Sequence, residues 1–336
     1  MLRSLLQKQL AHVPKTQPFY GFGEREWSPV LPSPHPPSDS KLLNSLRLIT
    51  WNIDFMAPYP QARMESAMSY LETLVSSIPS SSPVVIFLQE MCESRGFYPN
   101  SDTDADDLPQ LCAAPWVRER FYMTDIDISN WDAHYGTVTL VDRRLSITQV
   151  SRLPFVSEYG RDALLVDVQV PGPDTKLLRL CNVHLDSMDG PMRPIQWKSV
   201  AQHLQDEESG VVASILAGDC NATRPRDKTE PQDNGFKDAY LETGGVEDDE
   251  TGATWGYQSR NWERYGRTRL DKMAFWGALD LKNFEKIGMG VKVEDARVLQ
   301  KLEEESCLTF VTDHYGLMGE FKVMQDPDKT GGDDVE

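Results

Sequence analysis

The chain has 336 residues, and its 34 lysines and arginines against 52 aspartates and glutamates give a formal net charge of −18. Hydrophobic residues make up 40% of the sequence, which supports a large core and excludes a wholly disordered chain. The longest apolar runs are strand-sized, which excludes a membrane-spanning helix, and five scattered cysteines without a C-x-x-C spacing argue against a disulfide framework or a zinc ribbon. An acidic protein cannot hold nucleic acid through an overall positive field, so any phosphate group must be bound locally.

The sequence divides into an arm, a domain and a tail. Residues 1–45 combine a short basic amphipathic start with a Pro-rich stretch, which predicts a partly disordered N-terminal arm. Regular strand and helix patterns then run without a break and predict one folded domain over residues 46–324. Residues 325–336 are acidic and predict a disordered tail.

Within the domain, apolar runs predict buried strands, and apolar residues at i, i+3 and i+4 spacing predict helices. The predicted strands are 46–51, 84–88, 136–141, 163–170, 177–183, 211–217 and 317–323. The predicted helices are 64–78 and 195–204. Because strands dominate and helices interrupt them, we expect an α/β fold in which two mixed β-sheets pack face to face with helices outside.

Polar residues follow the predicted strands at the points where the strands end. Strand ends fix the positions of the loops that carry function, so we expect these side chains to meet at one end of the sheets. The residues at strand ends are Asn52, Glu90, His184, Asp219 and Asn221, and three more, Asp271, Asp313 and His314, lie near the C-terminal strands. Carboxylates, amides and imidazoles together are what a site for phosphate and a metal ion requires.

The residue types suggest separate roles. Glu90 offers the hard anionic oxygen that suits Mg²⁺, which is normally held by one or two carboxylates and the substrate phosphate. Asn52 and Asn221 do not change charge at neutral pH, so we expect them to orient Glu90, a metal-bound water or the attacking water. Asn52 is also a candidate residue of the metal site. Asp219 is the candidate base or water-orienting group. Cys220 lies between two of these positions, but strand alternation points it into the core.

The two histidines suit the stabilisation of phosphate. His184 and His314 can donate hydrogen bonds to non-bridging phosphate oxygens during transfer. A carboxylate beside His314 would favour the protonated imidazole. Asp271 and Asp313 are both candidates for that partner, and Asp313 is also a candidate for a neighbour of the metal through water.

Further residues are candidates for substrate contacts. Ser187 can bond a phosphate oxygen, Arg224 and Arg269 offer positive charge, and Trp255 can stack on a base or on the leaving aromatic group. Tyr135 is a candidate for another wall of the groove. The competing interpretations are a helix cap, surface arginines and half-buried core rings.

The order of these motifs resembles the endonuclease/exonuclease/phosphatase superfamily, and within it the tyrosyl-DNA phosphodiesterase branch. The matching segments are TWNID at 50–54, FLQE at 87–90, HLDS at 184–187, GDCN at 218–221, TW at 254–255, RLD at 269–271 and TDHYGL at 312–317. Thr312 stands where the family usually has Ser, and Asp186 where it usually has Glu.

The resemblance implies a DNase I-like four-layer αββα sandwich and a catalytic domain over residues 46–324. It implies a Mg²⁺-dependent phosphodiesterase, with Mn²⁺ as a substitute, and Asp271 as the partner of His314. Its expected partner is DNA with a 5′-linked tyrosyl peptide from a trapped topoisomerase, at a single-stranded end or overhang, and the expected product is a 5′-phosphate. We expect a monomer without a membrane association, in the nucleus or cytoplasm, with mitochondria as the alternative.

Other functions remain open at this point. The same site would serve hydrolysis of abasic-site DNA, an RNA 3′ end, a phospholipid or an inositol phosphate. A phosphate-binding protein without activity is the non-enzyme alternative, and the retained acids and histidines argue against it.

Overall fold

A computed structural model describes residues 2–31, 45–93, 106–171, 176–188 and 190–324. Most of the Pro-rich stretch and the whole acidic tail at 325–336 lie outside these described residues. Within the described part of the chain, no helix has the length and apolar character needed to cross a membrane.

The strands form two mixed sheets. They are β1 (Lys15–Gln17), β2 (Phe19–Phe22), β3 (Trp27–Val30), β4 (Ser45–Asn52), β5 (Val84–Cys92), β6 (Phe121–Met123), β7 (Tyr135–Asp142), β8 (Ile147–Pro154), β9 (Asp162–Val170), β10 (Lys176–His184), β11 (Val211–Asp219), β12 (Lys237–Asp238), β13 (Asp271–Gly277), β14 (Leu279–Ile287) and β15 (Gly316–Val323). Among the described residues, sheet A has seven strands in the order β1-β8-β9-β10-β11-β13-β12, and sheet B has eight in the order β14-β15-β4-β5-β7-β6-β2-β3. The pairs β10–β11 and β4–β5 are parallel.

Helices cover the outer faces of both sheets. The helices in the described part of the chain are α1 (Leu2–Leu10), α2 (Pro60–Ser77), α3 (Asp107–Ala113), α4 (Pro115–Arg120), α5 (Met192–Leu204), α6 (Glu230–Asp233), α7 (Ala239–Glu242), α8 (Trp262–Tyr265) and α9 (Ala296–Glu304). Helices α2, α3 and α4 share a core with sheet B, and α5 shares another with sheet A. The predicted α/β fold, a four-layer αββα sandwich, is therefore confirmed.

Strand alternation separates the core between the sheets from the cores beneath the helices. On β10, Leu178 and Leu180 belong to the inter-sheet core, whereas Cys181 and Val183 face the α5 side. This is the two-residue period of a strand that is buried on both faces. Cys220 also lies on the α5 side, with 1% of its surface exposed, which confirms that it is a core residue.

The predicted strands and helices are present, with ends displaced by a few residues. The seven predicted strands correspond to β4, β5, β7, β9, β10, β11 and β15, and the two helices to α2 and α5. The strands β8, β13 and β14 were not predicted. In β14, exposed and half-buried residues alternate irregularly, so the sequence carries no clean period of two there.

The N-terminal segment corrects the predicted boundary at residue 46. Strand β1 pairs with β8 of sheet A, and β2 pairs with β3 and β6 of sheet B. Phe19 packs edge-on against Tyr122 at 5.5 Å between ring centroids. Residues 15–30 are therefore part of the two-sheet domain, because their aromatic side chains and backbone complete both sheet edges.

Candidate active site

The polar residues predicted for the site meet at one end of the two sheets. Asn52 ends β4, and it lies opposite Gln89 in the parallel β4–β5 pair. Asp219 lies opposite His184 on one side and opposite Asp271 on the other. The strand register therefore brings His184, Asp219 and Asp271 side by side in sheet A.

Gly218 allows this close register. Its φ is +144°, and a Cβ on it would lie 1.9 Å from the Val183 carbonyl oxygen. No side chain fits at that distance, so glycine is required where β11 approaches β10 just before Asp219.

A β-bulge turns Glu90 toward the site. Strand alternation would place Glu90 on the helix side with Ile86 and Leu88, which belong to the core beneath α2. The register passes from Leu88 opposite Val138 to Met91 opposite Gly136, so β5 carries one extra residue. Glu90 itself has a φ of 59°, which is uncommon for a residue other than glycine. Bulges near active sites commonly redirect a side chain in this way.

Asn52 joins Glu90 to Asp219. Its Nδ2 donates to Glu90 Oε1 and to Asp219 Oδ2, both at 3.0 Å. Its Oδ1 accepts from the Asp54 amide at 2.9 Å, and the Phe55 amide donates to Glu90 Oε2 at 3.1 Å. Asn52 was also predicted to be a metal residue, but its amide oxygen is used by the backbone, so these contacts favour orientation of the two carboxylates.

His184 and Asp219 form a buried polar pair. His184 Nε2 lies 3.3 Å from Asp219 Oδ2 and 3.6 Å from Glu90 Oε1. Burial lowers the pKa of His184, and the nearby charge of Arg161 lowers it further. Burial by itself would raise the pKa of Asp219, but the hydrogen bond from His184 and the charges of both histidines hold it below its usual range. Asp219 is therefore ionised at neutral pH and able to accept a hydrogen bond.

His314 is paired with Asp271. Its Nδ1 lies 2.8 Å from Asp271 Oδ2, whereas its Nε2 is 3.7 Å from Asp313 Oδ1. Burial opposes the charge on His314, but the carboxylate of Asp271 raises the pKa of the imidazole well above its usual value, with help from Asp219 and Asp313. Of the two candidate partners, Asp271 is the one bonded to the ring.

Backbone and side-chain bonds fix the other members of the site. Thr312 Oγ1 donates to the Asn52 carbonyl at 2.8 Å and accepts from the His314 amide at 3.2 Å, so threonine fills the usual serine position. Asn221 Nδ2 donates to the Leu185 carbonyl at 3.0 Å. Asp313 Oδ2 accepts from Trp255 Nε1 at 2.6 Å.

The donor set fits a hard divalent cation. Within the described ranges, ligand atoms of Glu90, His184 and Asp219 all lie within 4.8 Å of one another, as do those of Asp219, Asp271 and His314. The oxygens of Glu90 and Asp219 suit Mg²⁺. A bound cation would supply Lewis acidity to a phosphoryl oxygen. Asp313 was predicted as a metal neighbour, but neither of these two groups contains it.

Of four predicted substrate residues, two border the site and two are half-buried in loop segments. Tyr135 stacks on Phe55 with 4.3 Å between centroids and lies 6.2 Å from the His184 ring, and Trp255 adjoins Asp313, so both border the site. Ser187 is half-buried in the loop after β10, and Arg224 is half-buried at the start of a 3-10 helix over Pro225–Lys228.

Arg269 was predicted to contact substrate, and in the structure its guanidinium bonds two acidic side chains. Its Nη1 donates to both Asp238 oxygens at 2.8 and 2.9 Å, and its Nη2 to Glu247. The residue is 9% exposed, so its charge is neutralised inside the protein, because the loop carrying Glu247 folds over it.

Arg161 borders the site and was not predicted. Its Nη2 donates to the Tyr135 hydroxyl at 3.1 Å, its Nη1 donates to the Leu185 carbonyl, and its guanidinium lies 5.6 Å from the Tyr135 ring centre. The residue follows the turn between β8 and β9, and β8 was itself missed, so no predicted strand end pointed to it.

The two-sheet sandwich and its cluster of carboxylates and imidazoles define the phosphoesterase class. Residues 49–292 match the model of the Endonuclease/Exonuclease/phosphatase family, and the chain belongs to that family. Its members are generally phosphoester hydrolases and typically depend on a divalent metal.

Solved structures share the fold at low sequence identity. TDP2 (tyrosyl-DNA phosphodiesterase 2) from Caenorhabditis elegans is 22% identical with a TM-score of 0.59, over 83% of this chain and 75% of that one. D. rerio TDP2 complexed with a single-strand DNA product is 19% identical with a TM-score of 0.61, over 83% and 100%. The endonuclease/exonuclease/phosphatase from Beutenbergia cavernae is 19% identical with a TM-score of 0.54, over 85% and 73%. Among the curated proteins, none matches the chain.

Proposed function

We propose that this protein is a Mg²⁺-dependent phosphodiesterase that hydrolyses 5′-phosphotyrosyl bonds to DNA and leaves a 5′-phosphate. The observation that carries the proposal is the position of Asp219, which contacts Asn52 at 3.0 Å and His184 at 3.3 Å, with His314 Nε2 3.9 Å away. One ionised carboxylate thus lies between an amide, two imidazoles and the Glu90 carboxylate. Mn²⁺ is expected to substitute for Mg²⁺.

The residues of the chain divide the work of the reaction. Asp219 accepts the proton of the attacking water, and Asn221, held by the Leu185 carbonyl, orients that water. The protonated His314 donates to a phosphoryl oxygen as negative charge develops there. The leaving phenol has a pKa of about 10, so it departs without strong general-acid help.

Exposed aromatic residues beside the site support a single-stranded DNA substrate. Tyr265 is 58% exposed and its ring lies 6.3 Å from Trp255. Trp262 is 45% exposed and the guanidinium of Arg267 lies 5.4 Å from its ring. Stacking on such rings is worth about 1–3 kcal/mol per base. Stacking does not require a protein with a net positive charge, and this chain has a formal net charge of −18.

The test is hydrolysis of a 5′-tyrosyl oligonucleotide with Mg²⁺ and with EDTA. Wild type should release a 5′-phosphate only with the metal, and Glu90→Gln should release none, because the change removes the anionic oxygen and keeps the side-chain shape. Glu320→Gln is the matched control, since Glu320 pairs with Arg47 at 2.7 Å near the start of β4, away from the site.

The substrate assignment can fail separately from the site. Metal-dependent cleavage of a generic aryl phosphodiester, without release from the tyrosyl oligonucleotide, would contradict the phosphotyrosyl assignment. It would favour one of the other phosphoesters, which a panel of abasic DNA, RNA, phospholipid and inositol phosphate would identify.

A further inference from the structure

A buried amide stands in the apolar layer between the sheets, directly behind the site. Asn182 is 0% exposed and lies two residues before His184 on β10, so the two side chains leave the same face of the strand. The preceding residues on that face, Leu178 and Leu180, belong to the inter-sheet core. A carboxamide in such a layer is costly unless its hydrogen bonds are satisfied.

The bonds of Asn182 cross from sheet A to sheet B. Its Nδ2 donates to the Val138 carbonyl at 3.0 Å and to the Leu88 carbonyl at 3.3 Å. Its Oδ1 accepts from Gln89 Nε2 at 2.8 Å, and Gln89 also donates to Thr50 Oγ1 at 3.0 Å. The amide is therefore satisfied by groups of β5 and β7, and Gln89 links this contact to Thr50 of the neighbouring β4.

These partners are the residues at the edge of the bulge in β5. Leu88 and Val138 form the last regular pair before the register shifts, and Gln89 is the residue next to Glu90. The side chain of Asn182 thus ties down both strands at the point where β5 gains its extra residue. Beyond that point, Glu90 has its positive φ and turns into the site.

We propose that Asn182 is a positioning residue that holds the β5 bulge and thereby aims the Glu90 carboxylate at the metal and substrate. The proposal rests on the role in metal binding given to Glu90 in the proposed function. Without the amide, β5 loses its cross-sheet anchor beside the bulge, and the Glu90 carboxylate is left with its contacts to Asn52, the Phe55 amide and His184. Outer residues that orient a ligand typically contribute 10- to 100-fold to metal affinity or activity.

The experiment compares Asn182→Leu with Val166→Ala. Leucine has the same number of side-chain heavy atoms in the same branched arrangement and suits the apolar layer, but it makes none of the hydrogen bonds of the amide. Val166 is also 0% exposed in the inter-sheet core and lies opposite Leu180 on β9, so its truncation disturbs the same layer without touching the bulge. Both proteins are checked by thermal unfolding, and Asn182→Thr, which keeps a hydroxyl donor, serves if the leucine variant does not fold.

The main measurement is direct Mn²⁺ binding to the full chain by electron paramagnetic resonance, with Mg²⁺-dependent hydrolysis of an aryl phosphodiester as the second. Asn182→Leu should weaken Mn²⁺ binding by about tenfold or more, while Val166→Ala should stay within about twofold of wild type. If Asn182→Thr is used, it should weaken binding by a smaller but measurable factor.

Two results would overturn the proposal. The first is a folded Asn182→Leu (or Asn182→Thr) protein with wild-type Mn²⁺ affinity, because Asn182 would then act on stability alone. The second is equal weakening in Val166→Ala, which would show that any disturbance of the layer moves Glu90. If wild type binds Mn²⁺ but leaves the tyrosyl oligonucleotide intact, the proposed substrate fails while the role of Asn182 is still decided by the affinities.

Discussion

Replacing Asp271 by Asn tests whether a charged partner keeps His314 protonated. The two side chains are 2% and 6% exposed, and His314 Nδ1 lies 2.8 Å from Asp271 Oδ2. Asparagine keeps the size of the side chain and one acceptor for Nδ1, but it removes the negative charge that raises the pKa of His314. The neutral imidazole of the variant would then hold its proton at Nδ1, which leaves Nε2 without a hydrogen to donate.

The expected loss follows from the removal of one donor aimed at the transition state. Such a donor contributes about 10²–10³ in kcat, or about 2.7–4 kcal/mol. The loss should be large at pH 8, where the variant imidazole is neutral, and smaller at pH 5.5, where protonation restores the second donor. In kcat against pH, the fall at high pH should therefore move to lower pH in Asp271→Asn.

The Asp271→Asn variant should also be less stable than wild type. The folded-state pKa of His314 is raised, so the stability from its protonation is complete below the unfolded pKa of about 6.5 and is lost as pH rises through the folded pKa. The difference in melting temperature between wild type and Asp271→Asn should therefore be larger at pH 5.5 than at high pH.

The assay is steady-state hydrolysis of an aryl phosphodiester from pH 5 to 10, with Asp313→Asn as the comparison. Asp313 lies 3.7 Å from Nε2 and is bonded to Trp255, so its replacement should move the high-pH fall less. A high-pH fall that stays in place in Asp271→Asn, or that moves further in Asp313→Asn, would refute the assignment of Asp271 as the group that holds the proton on His314.

Three further changes probe the substrate side and the scaffold. Trp255→Ala should weaken oligonucleotide binding by about 1–3 kcal/mol, and Trp255→Phe should retain most of the binding affinity. If both variants bind the oligonucleotide like wild type, the role of Trp255 is restricted to supporting Asp313. Gly218→Ala should prevent stable folding, seen as loss of a cooperative melt, because its Cβ would lie 1.9 Å from the Val183 carbonyl oxygen; a wild-type melt would contradict this. Arg152→Met should lower the free energy of unfolding in denaturant by about 3–5 kcal/mol. The change leaves the carboxylates of Asp125 and Asp162 buried without the guanidinium that lies 2.8 and 2.9 Å from them. A loss below about 1 kcal/mol would show that these ion pairs are dispensable.

Apolar periodicity predicts the elements that are buried on a regular face. Strand β11 is buried along nearly its whole length and is plain in the sequence, and α2 places Met64, Met68 and Leu71 at helical spacing against sheet B. Strand β14 escapes prediction because its burial follows no period of two. The short strands β1 to β3 escape because they are three or four residues long, and long-range pairing with β8 and β6 holds them in place.

Site residues that lie at strand ends could be predicted from the sequence. Residue roles that depend on contacts between distant side chains could not. Asn52, His184 and Asp219 follow apolar strands, so their convergence could be expected from the chain order. The role of Arg269 could not be predicted, because its charge is cancelled by Asp238 and Glu247, which are 31 and 22 residues away along the chain. The position of Arg161 likewise depends on a turn between strands that carries no recognisable pattern.

The site continues the inter-sheet core at one end of the two sheets. Along β11, Ala213, Ile215 and Ala217 bury one face in that core, and Asp219 is the next residue of the same face. Asn182 and His184 continue the corresponding face of β10. Glu90 is the exception, because alternation would direct it under the helices and only the bulge brings it to the shared face. The geometry of the site therefore depends on strand register in sheet A and on one irregularity in sheet B.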